Sequence, residues 1–253
     1  MMMRLSARLE SVLARAGQIV AFTGAGISAE SGVPTFRGVD GIWKKMRPEE
    51  LASMDGFMRN PALVWEWYAH RKEIIRNVKP NAGHAALVRM ERVFPHVAVI
   101  TQNIDNLHRR AGSSTVLELH GNIERNYCMK CGLSYTDLDV PLKDGVPTCT
   151  QCSGLIRPDV VWFGEMLPEE EWEASVRAAG SADLFFSIGT SAVVYPAASL
   201  PLLAKQQGAF LVEVNPEPTP LTDRADEYLQ GPAGIVIPEL LTCAEYLRKE
   251  HFP

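Results

Sequence analysis

Six short apolar runs, each separated from the next by polar or helical sequence, constrain the fold of this chain more than any other feature. They cover residues 18–23 (QIVAFT), 97–101 (VAVIT), 116–119, 184–188 (LFFSI), 210–214 (FLVEV) and 234–237. Strands of a parallel sheet are covered on both faces, so they read as unbroken apolar stretches of this kind. Helical patterns stand between several of them, as at 84–93 and 169–179. Short apolar strands alternating with helices predict an α/β fold built on a parallel sheet. Ahead of the first run, Leu5, Leu9, Val12 and Leu13 form the stripe of an amphipathic helix.

Two stretches break this rhythm. Residues 40–80 read as helical and carry Trp43, Trp65, Trp67 and Tyr68, and residues 126–152 carry paired cysteines and turn residues. Both are expected as insertions that join in one smaller domain, leaving 1–39, 81–125 and 153–253 for the larger one. Hydrophobic residues at 46% and charged residues at 22% exclude disordered, collagen-like and disulfide-scaffold classes. A net charge of -5 excludes nucleic acid or an anionic membrane as a partner held by bulk attraction. The uncharged stretch between Asp183 and Lys205 has the length of a membrane span, yet Ser187, Gly189, Pro196 and Pro201 interrupt it. A strand, a polar turn and a helix start fit it better. Arg4, Arg8 and Arg15 would suit a transit peptide, but Glu10 and the leucine stripe favour a helix. The expected location is cytoplasmic.

Cys128 and Cys131 form one C-x-x-C pair, and after 17 intervening residues Cys149 and Cys152 form another. Four thiolates at this spacing suit a tetrahedral zinc ion, each pair giving two sulfurs from one turn and the intervening segment returning as a short hairpin. Buried or redox-active thiols are the competing reading. Four cysteines fill the coordination shell, so the zinc is expected to be structural. Cys243 stands alone and reads as a small buried hydrophobe.

Several polar turns follow the apolar runs. Gly24-Ala25-Gly26-Ile27-Ser28 approaches a dinucleotide fingerprint, in which glycines admit a pyrophosphate close to the backbone, although Ala29 replaces the last glycine. Alone it is no stronger than a plain tight turn. The loop Gly32-Val33-Pro34-Thr35-Phe36-Arg37-Gly38 has the composition of a surface loop, with one aromatic and one arginine suited to folding over a phosphate ligand. Gln102, Asn103 and Asp105 follow the second run, where they serve either a ligand or a helix cap. Gly189-Thr190-Ser191 and Asn215-Pro216-Glu217 follow the fourth and fifth. Ligands of open α/β sheets bind outside the carboxyl ends of the strands, and four strand ends here carry polar groups and close backbone. His120 ends the third run beside Gly121, placed equally well for a structural role and for a catalytic base.

Taken in order, these turns, the cysteine pairs, His120-Gly121 and Val160-Val161-Trp162-Phe163-Gly164-Glu165 resemble the sirtuins, from about residue 18 to 240. The resemblance implies a Rossmann-like NAD-binding domain, with a smaller domain made of a helical insertion and a zinc ribbon. It implies NAD-dependent removal of acyl groups from protein lysine, giving nicotinamide and an O-acyl-ADP-ribose. By motif match, Ala25, Gly26 and Ser28 contact the diphosphate region, with Gly24, Ile27 and Pro34 in the same cofactor set. Phe36 and Arg37 belong to a cofactor loop, Gln102 and Asn103 hold the ribose, and Ile104 and Asp105 hold the nicotinamide carboxamide. Gly189, Thr190, Ser191, Asn215, Pro216 and Glu217 hold the adenosine half, with Ala233 near the adenine. His120 is implied as general base on a ribose hydroxyl, with Asn103 and Asp105 completing the catalytic set. Val161, Phe163 and Gly164 are implied to pair with an acylated-lysine protein as an added strand.

Tyr68 and Arg71 lie three apart in a helical run and so share a face. A phenol and a guanidinium fork together suit a carboxylate. The pair resembles the one that marks sirtuins removing succinyl, malonyl and glutaryl groups, against the plainer reading of a core aromatic beside a solvated arginine. Val33 replaces a common isoleucine, and the chain resembles the compact bacterial form. The competing functions are ADP-ribosyl transfer on the same fold, a non-catalytic zinc-ribbon module, and a dehydrogenase, which needs a conventional fingerprint.

Overall fold

Alternation along the first apolar run divides the core in two. Ile19 and Ala21 join one buried cluster, while Val20 and Phe22 join another on the opposite face of the same strand. A strand covered on both sides has no polar face to show, which is why the run is unbroken.

The computed structural model describes residues 3–35, 47–136 and 138–251. Phe36, Arg37 and Trp43 lie outside them. In chain order the strands are β1 (Gln18–Thr23), β2 (His96–Thr101), β3 (Val116–Glu118), β4 (Gly121–Cys128), β5 (Ser134–Tyr135), β6 (Leu142–Lys143), β7 (Val146–Pro147), β8 (Ile156–Val160), β9 (Leu184–Ile188), β10 (Phe210–Asn215) and β11 (Glu227–Gln230). The helices are α1 (Ala7–Arg15), α2 (Ala25–Ala29), α3 (Pro48–Leu51), α4 (Met54–Arg59), α5 (Pro61–Asn77), α6 (Ala82–Met90), α7 (Leu107–Ala111), α8 (Glu169–Ser181), α9 (Leu200–Gln206) and α10 (Ala233–His251).

Six strands form one parallel sheet in the order β11-β10-β9-β1-β2-β3. Leu9 and Leu13 of α1, Leu87 and Met90 of α6, and Leu240 and Leu241 of α10 cover one face. Ala179 of α8 with Leu200 and Ala204 of α9 cover the other. The chain leaves β1 toward β2 on one side and later returns through β9 on the other. The carboxyl ends of β1 and β9 are therefore the topological switch point, where such sheets open a crevice. The Rossmann-like reading of the sequence stands.

One expectation fails. Residues 234–237 (GIVI) are not a strand but the first turn and a half of α10. Ala233, Val236, Ile237, Leu240, Leu241 and Ala244 are all buried, which is helical spacing. The sixth strand is β11, whose sequence EYLQ buries only Leu229 because it is an edge strand. Helix α6 begins two residues earlier than its apolar pattern, since the Asn81 side chain accepts from the backbone of Gly83 and His84 and caps it.

A second core lies apart from the sheet. Leu51, Phe57, Trp65, Tyr68 and Ile75 of the helical insertion pack with Cys128, Val146, Cys149, Ile156 and Trp162. The indole N–H of Trp65 donates to the Ile156 carbonyl at 3.0 Å, tying α5 to β8. β4 pairs antiparallel with β5 and β8, and β6 with β7 forms the expected hairpin between the cysteine pairs. No helix among the described residues is long and apolar enough to cross a membrane.

Candidate active site

The switch point is closed by glycines. The Gly26 N–H donates to the Gly189 carbonyl at 2.8 Å, and the Gly24 N–H to that of Ile188 at 3.0 Å. A Cβ on Gly26 would stand 2.6 Å from the Gly189 Cα, and one on Gly189 would stand 2.5 Å from the Ile27 nitrogen. Gly189 also has φ of 58°, a conformation glycine adopts without steric cost. Two backbones touch here because neither carries a side chain, and the start of α2 faces open space above them.

That space is a cavity of about 760 Å³. Gly24, Ala25 and Gly26 line it from β1, Gln102, Asn103 and Ile104 from β2, and His120 from the turn after β3. Gly189, Thr190 and Ser191 line it after β9, and Asn215, Pro216 and Glu217 after β10. The four strand ends singled out in the sequence thus meet around one volume of the size that takes a nucleotide. Tyr68 lines it from the second core, and Val161, Phe163 and Gly164 line it from the segment after β8.

Other expected residues stand elsewhere. Ile27, Ser28, Asp105 and Arg71 are buried and are absent from the lining. Pro34 is exposed and Ala233 buried, and neither lines the cavity. Phe36 and Arg37 lie outside the described residues.

Hydrogen bonds fix the polar turn after β2. Thr23 donates to the Thr101 hydroxyl at 2.8 Å, and the Thr101 hydroxyl also accepts the Asn103 N–H at 3.0 Å. His108 Nε2 lies 2.9 Å from the Thr23 hydroxyl, whose proton is committed to Thr101, so His108 donates. The Asn103 amide then donates to the Gly24 carbonyl at 3.0 Å and to the Ser28 hydroxyl at 3.2 Å. The Asp105 carboxylate accepts the Leu107 N–H at 3.0 Å. Burial raises the Asp105 carboxyl above its ordinary range, while the Leu107 N–H, Ser28, Arg71 and Arg110 oppose the rise. Across the switch point, Gln102 donates to the Thr190 hydroxyl and Asn215 to the Thr190 carbonyl, both at 2.9 Å.

His120 Nδ1 lies 3.0 Å from the Gln102 carbonyl. A carbonyl only accepts, so Nδ1 carries the proton and Nε2 is left with a lone pair. Burial moves the His120 pKa below its ordinary value, against the opposing pull of the Gln102 carbonyl. The imidazole therefore stands oriented at the cavity wall, with burial favouring its neutral form.

The four cysteine sulfurs lie within 4.8 Å of one another. Cys128 and Cys152 are 3.5 Å apart and Cys131 and Cys149 3.6 Å, too far for disulfides and suited to neighbouring ligands of one ion. The N–H groups of Lys130 and Gln151 donate to Cys128 and Cys149, each at 3.4 Å. The Tyr135 hydroxyl donates to Cys149 at 3.2 Å and helps pull its pKa down to about 6. Donor set, convergence and hydrogen bonds to sulfur all fit zinc.

Sequence reasoning missed residues that act across the fold. Trp162 lines the cavity, and its neighbours in the motif were singled out without it. Glu213 is fully buried and accepts from the hydroxyls of Thr219 and Thr222, anchoring the proline-rich loop after β10. That loop brings Pro218, Thr219 and Pro220 to the cavity. Its prolines are one signal in the sequence, and the lone carboxylate Glu213 within the apolar run FLVEV is another.

The Sir2 family pattern matches residues 24–196. The NAD-dependent protein deacylase 2 of Pyrobaculum aerophilum is 54% identical over 230 residues, 91% of this chain and 92% of its own. The NAD-dependent protein deacylase of Aquifex aeolicus is 49% identical over 233 residues, 92% of this chain and 96% of its own. Among solved structures, a complex of a Sir2 homologue with NAD superposes with a TM-score of 0.88 at 45% identity, covering 98% of this chain and 95% of that one. A complex of Sir2 with a p53 peptide and NAD+ superposes at 0.83 and 36% identity, covering 93% and 97%.

Proposed function

The chain belongs to the Sir2 family and is an NAD-dependent protein deacylase; on that premise we propose that His120 is its general base and that succinyl- and malonyl-type groups are removed alongside acetyl. The observation that carries the first part is the His120 Nδ1 contact with the Gln102 carbonyl, which leaves Nε2 as acceptor at the cavity wall.

When bound, NAD supplies the ADP-ribose that takes the acyl group as nicotinamide leaves. The residues fit that cosubstrate, because the backbones of Gly24, Gly26 and Gly189 pack together without side chains at the switch point and line the cavity there. Backbone at Gly24, Ala25 and Gly26 would hold the diphosphate beside α2. Gln102 and Asn103 would hold the ribose and Ile104 the carboxamide, with Asp105 buried behind Ile104. Gly189, Thr190, Ser191, Asn215, Pro216 and Glu217 would hold the adenosine half. Nε2 of His120 takes the proton of the hydroxyl that attacks the acyl carbon, which a base that is neutral near pH 7 does well. The four cysteines hold zinc as a structural ion with no open position.

The substrate polypeptide is proposed to enter as a strand along residues 161–164. Phe163 donates its N–H to the Ala52 carbonyl at 2.8 Å and is half exposed, and Gly164 has φ of 88°. Main-chain pairing tolerates many sequences. For the acyl group, Tyr68 lines the cavity and Arg71 lies buried one turn further along α5. Burial pushes the Arg71 pKa down while Tyr68 and Asp105 hold it up, and a guanidinium stays charged in that setting. A hydroxyl donor with a cation behind it is the donor set for a terminal carboxylate.

A pH profile tests the base. A base is lost when it protonates, and the His120 pKa is displaced below 6.5. The acid limb of kcat/KM is therefore expected below pH 6.5, with activity flat from neutrality down to it. A limb centred at or above 6.5 removes His120 from the role.

A further inference from the structure

Trp162 is buried against the acyl side of the cavity, and every part of it is held. Its indole N–H donates to the Tyr68 hydroxyl oxygen at 2.9 Å. The Arg157 guanidinium lies 3.4 Å from the centre of its ring, and the Phe57 ring 5.2 Å away. Its main-chain N–H donates to Glu165 Oε2 at 2.7 Å, and the same oxygen accepts from Arg157 Nη2 at 2.9 Å. Ring, backbone and flanking ion pair fix one orientation for the indole.

This has a consequence for Tyr68. An indole N–H only donates, so the phenol oxygen must accept from it and spends its own proton elsewhere. No acceptor for that proton stands among the described residues, and Tyr68 lines the cavity. Burial pushes the Tyr68 pKa up to about 12, so the hydroxyl keeps its proton at neutral pH.

We propose that Trp162 is a specificity-determining positioning residue, which by filling the acceptor side of the Tyr68 hydroxyl aims the phenolic proton into the cavity for the carboxylate of an acyl group. The inference rests on the reading that carboxyl-bearing groups are substrates. An acetyl group has no terminal carboxylate to receive that proton, so Trp162 acts on the ratio between acyl groups.

The test compares kcat/KM for succinyl- and acetyl-lysine forms of one peptide, in the wild type, Trp162→Phe, Tyr68→Phe and the double variant. Phenylalanine keeps a ring beneath Arg157 and removes only the N–H side of the indole. Trp162→Phe is expected to lower the succinyl-to-acetyl ratio by about tenfold, the worth of a hydrogen bond to a charged group. In the Tyr68→Phe background the same change is expected to lower it no further, because the two act as one unit. Equal loss on both peptides, or a further fall in the double variant, overturns the proposal. A wild type that removes acetyl and not succinyl overturns the carboxylate reading itself, before any variant is compared.

Discussion

His120→Ala lowers turnover of an acyl-lysine peptide by about 10²–10⁴-fold, the usual worth of a positioned general base. The loss is expected to be selective. In the proposed role, Nε2 would take a proton from a hydroxyl only after nicotinamide has left, so exchange of labelled nicotinamide into NAD should persist when peptide deacylation has collapsed. The substitution removes the bond to the Gln102 carbonyl and a half-buried ring, with no charge left unpaired. The melting temperature should therefore move by a few degrees at most. Parallel collapse of exchange and deacylation would show that His120 holds the site together and is not its base.

Cys149→Ala is expected to remove zinc and, with it, the second core. Structural zinc contributes about 10–16 kcal/mol of apparent binding free energy, which is as large as the stability of most domains. Cys128 and Cys149 are themselves buried in the cluster that contains Trp65, Tyr68, Ile156 and Trp162. Loss of the ion therefore frees the ribbon and the wall that carries Tyr68 and residues 161–164. The measurement is zinc content by atomic emission, proteolysis of residues 126–152 and deacylation, each before and after a strong chelator. One zinc per chain, rapid cleavage and lost activity without it are expected. Full activity with no metal would leave the cysteines as ordinary thiols.

How much of this is legible in the sequence depends on how local the cause is. Strand β1 and strand β9 are read to the residue, because burial on both faces leaves an unbroken apolar run with a glycine or polar stop. The cysteine pairs are legible because each knuckle is four residues long. The run at 234–237 misled because four apolar residues fit a buried strand as well as a helix turn, and only Leu240, Leu241 and Ala244 decide between them. β11 was invisible because an edge strand needs little apolar content. Causes that act across the fold left no local trace. Tyr68 and Trp162 are 94 positions apart, and Thr23 and His108 are 85. Each looks ordinary in its own segment and acquires a role only when the sheet order places it beside its partner.

The cavity at the β1–β9 switch point is expected to move an acyl group from protein lysine onto NAD-derived ADP-ribose. Mass spectrometry of one peptide carrying acetyl- or succinyl-lysine, with and without NAD, tests it most directly. NAD-dependent loss of the acyl group, matched by nicotinamide and the corresponding O-acyl-ADP-ribose, is the predicted result. An unchanged peptide in the presence of NAD, or ADP-ribose attached to protein with no acyl group removed, would contradict it.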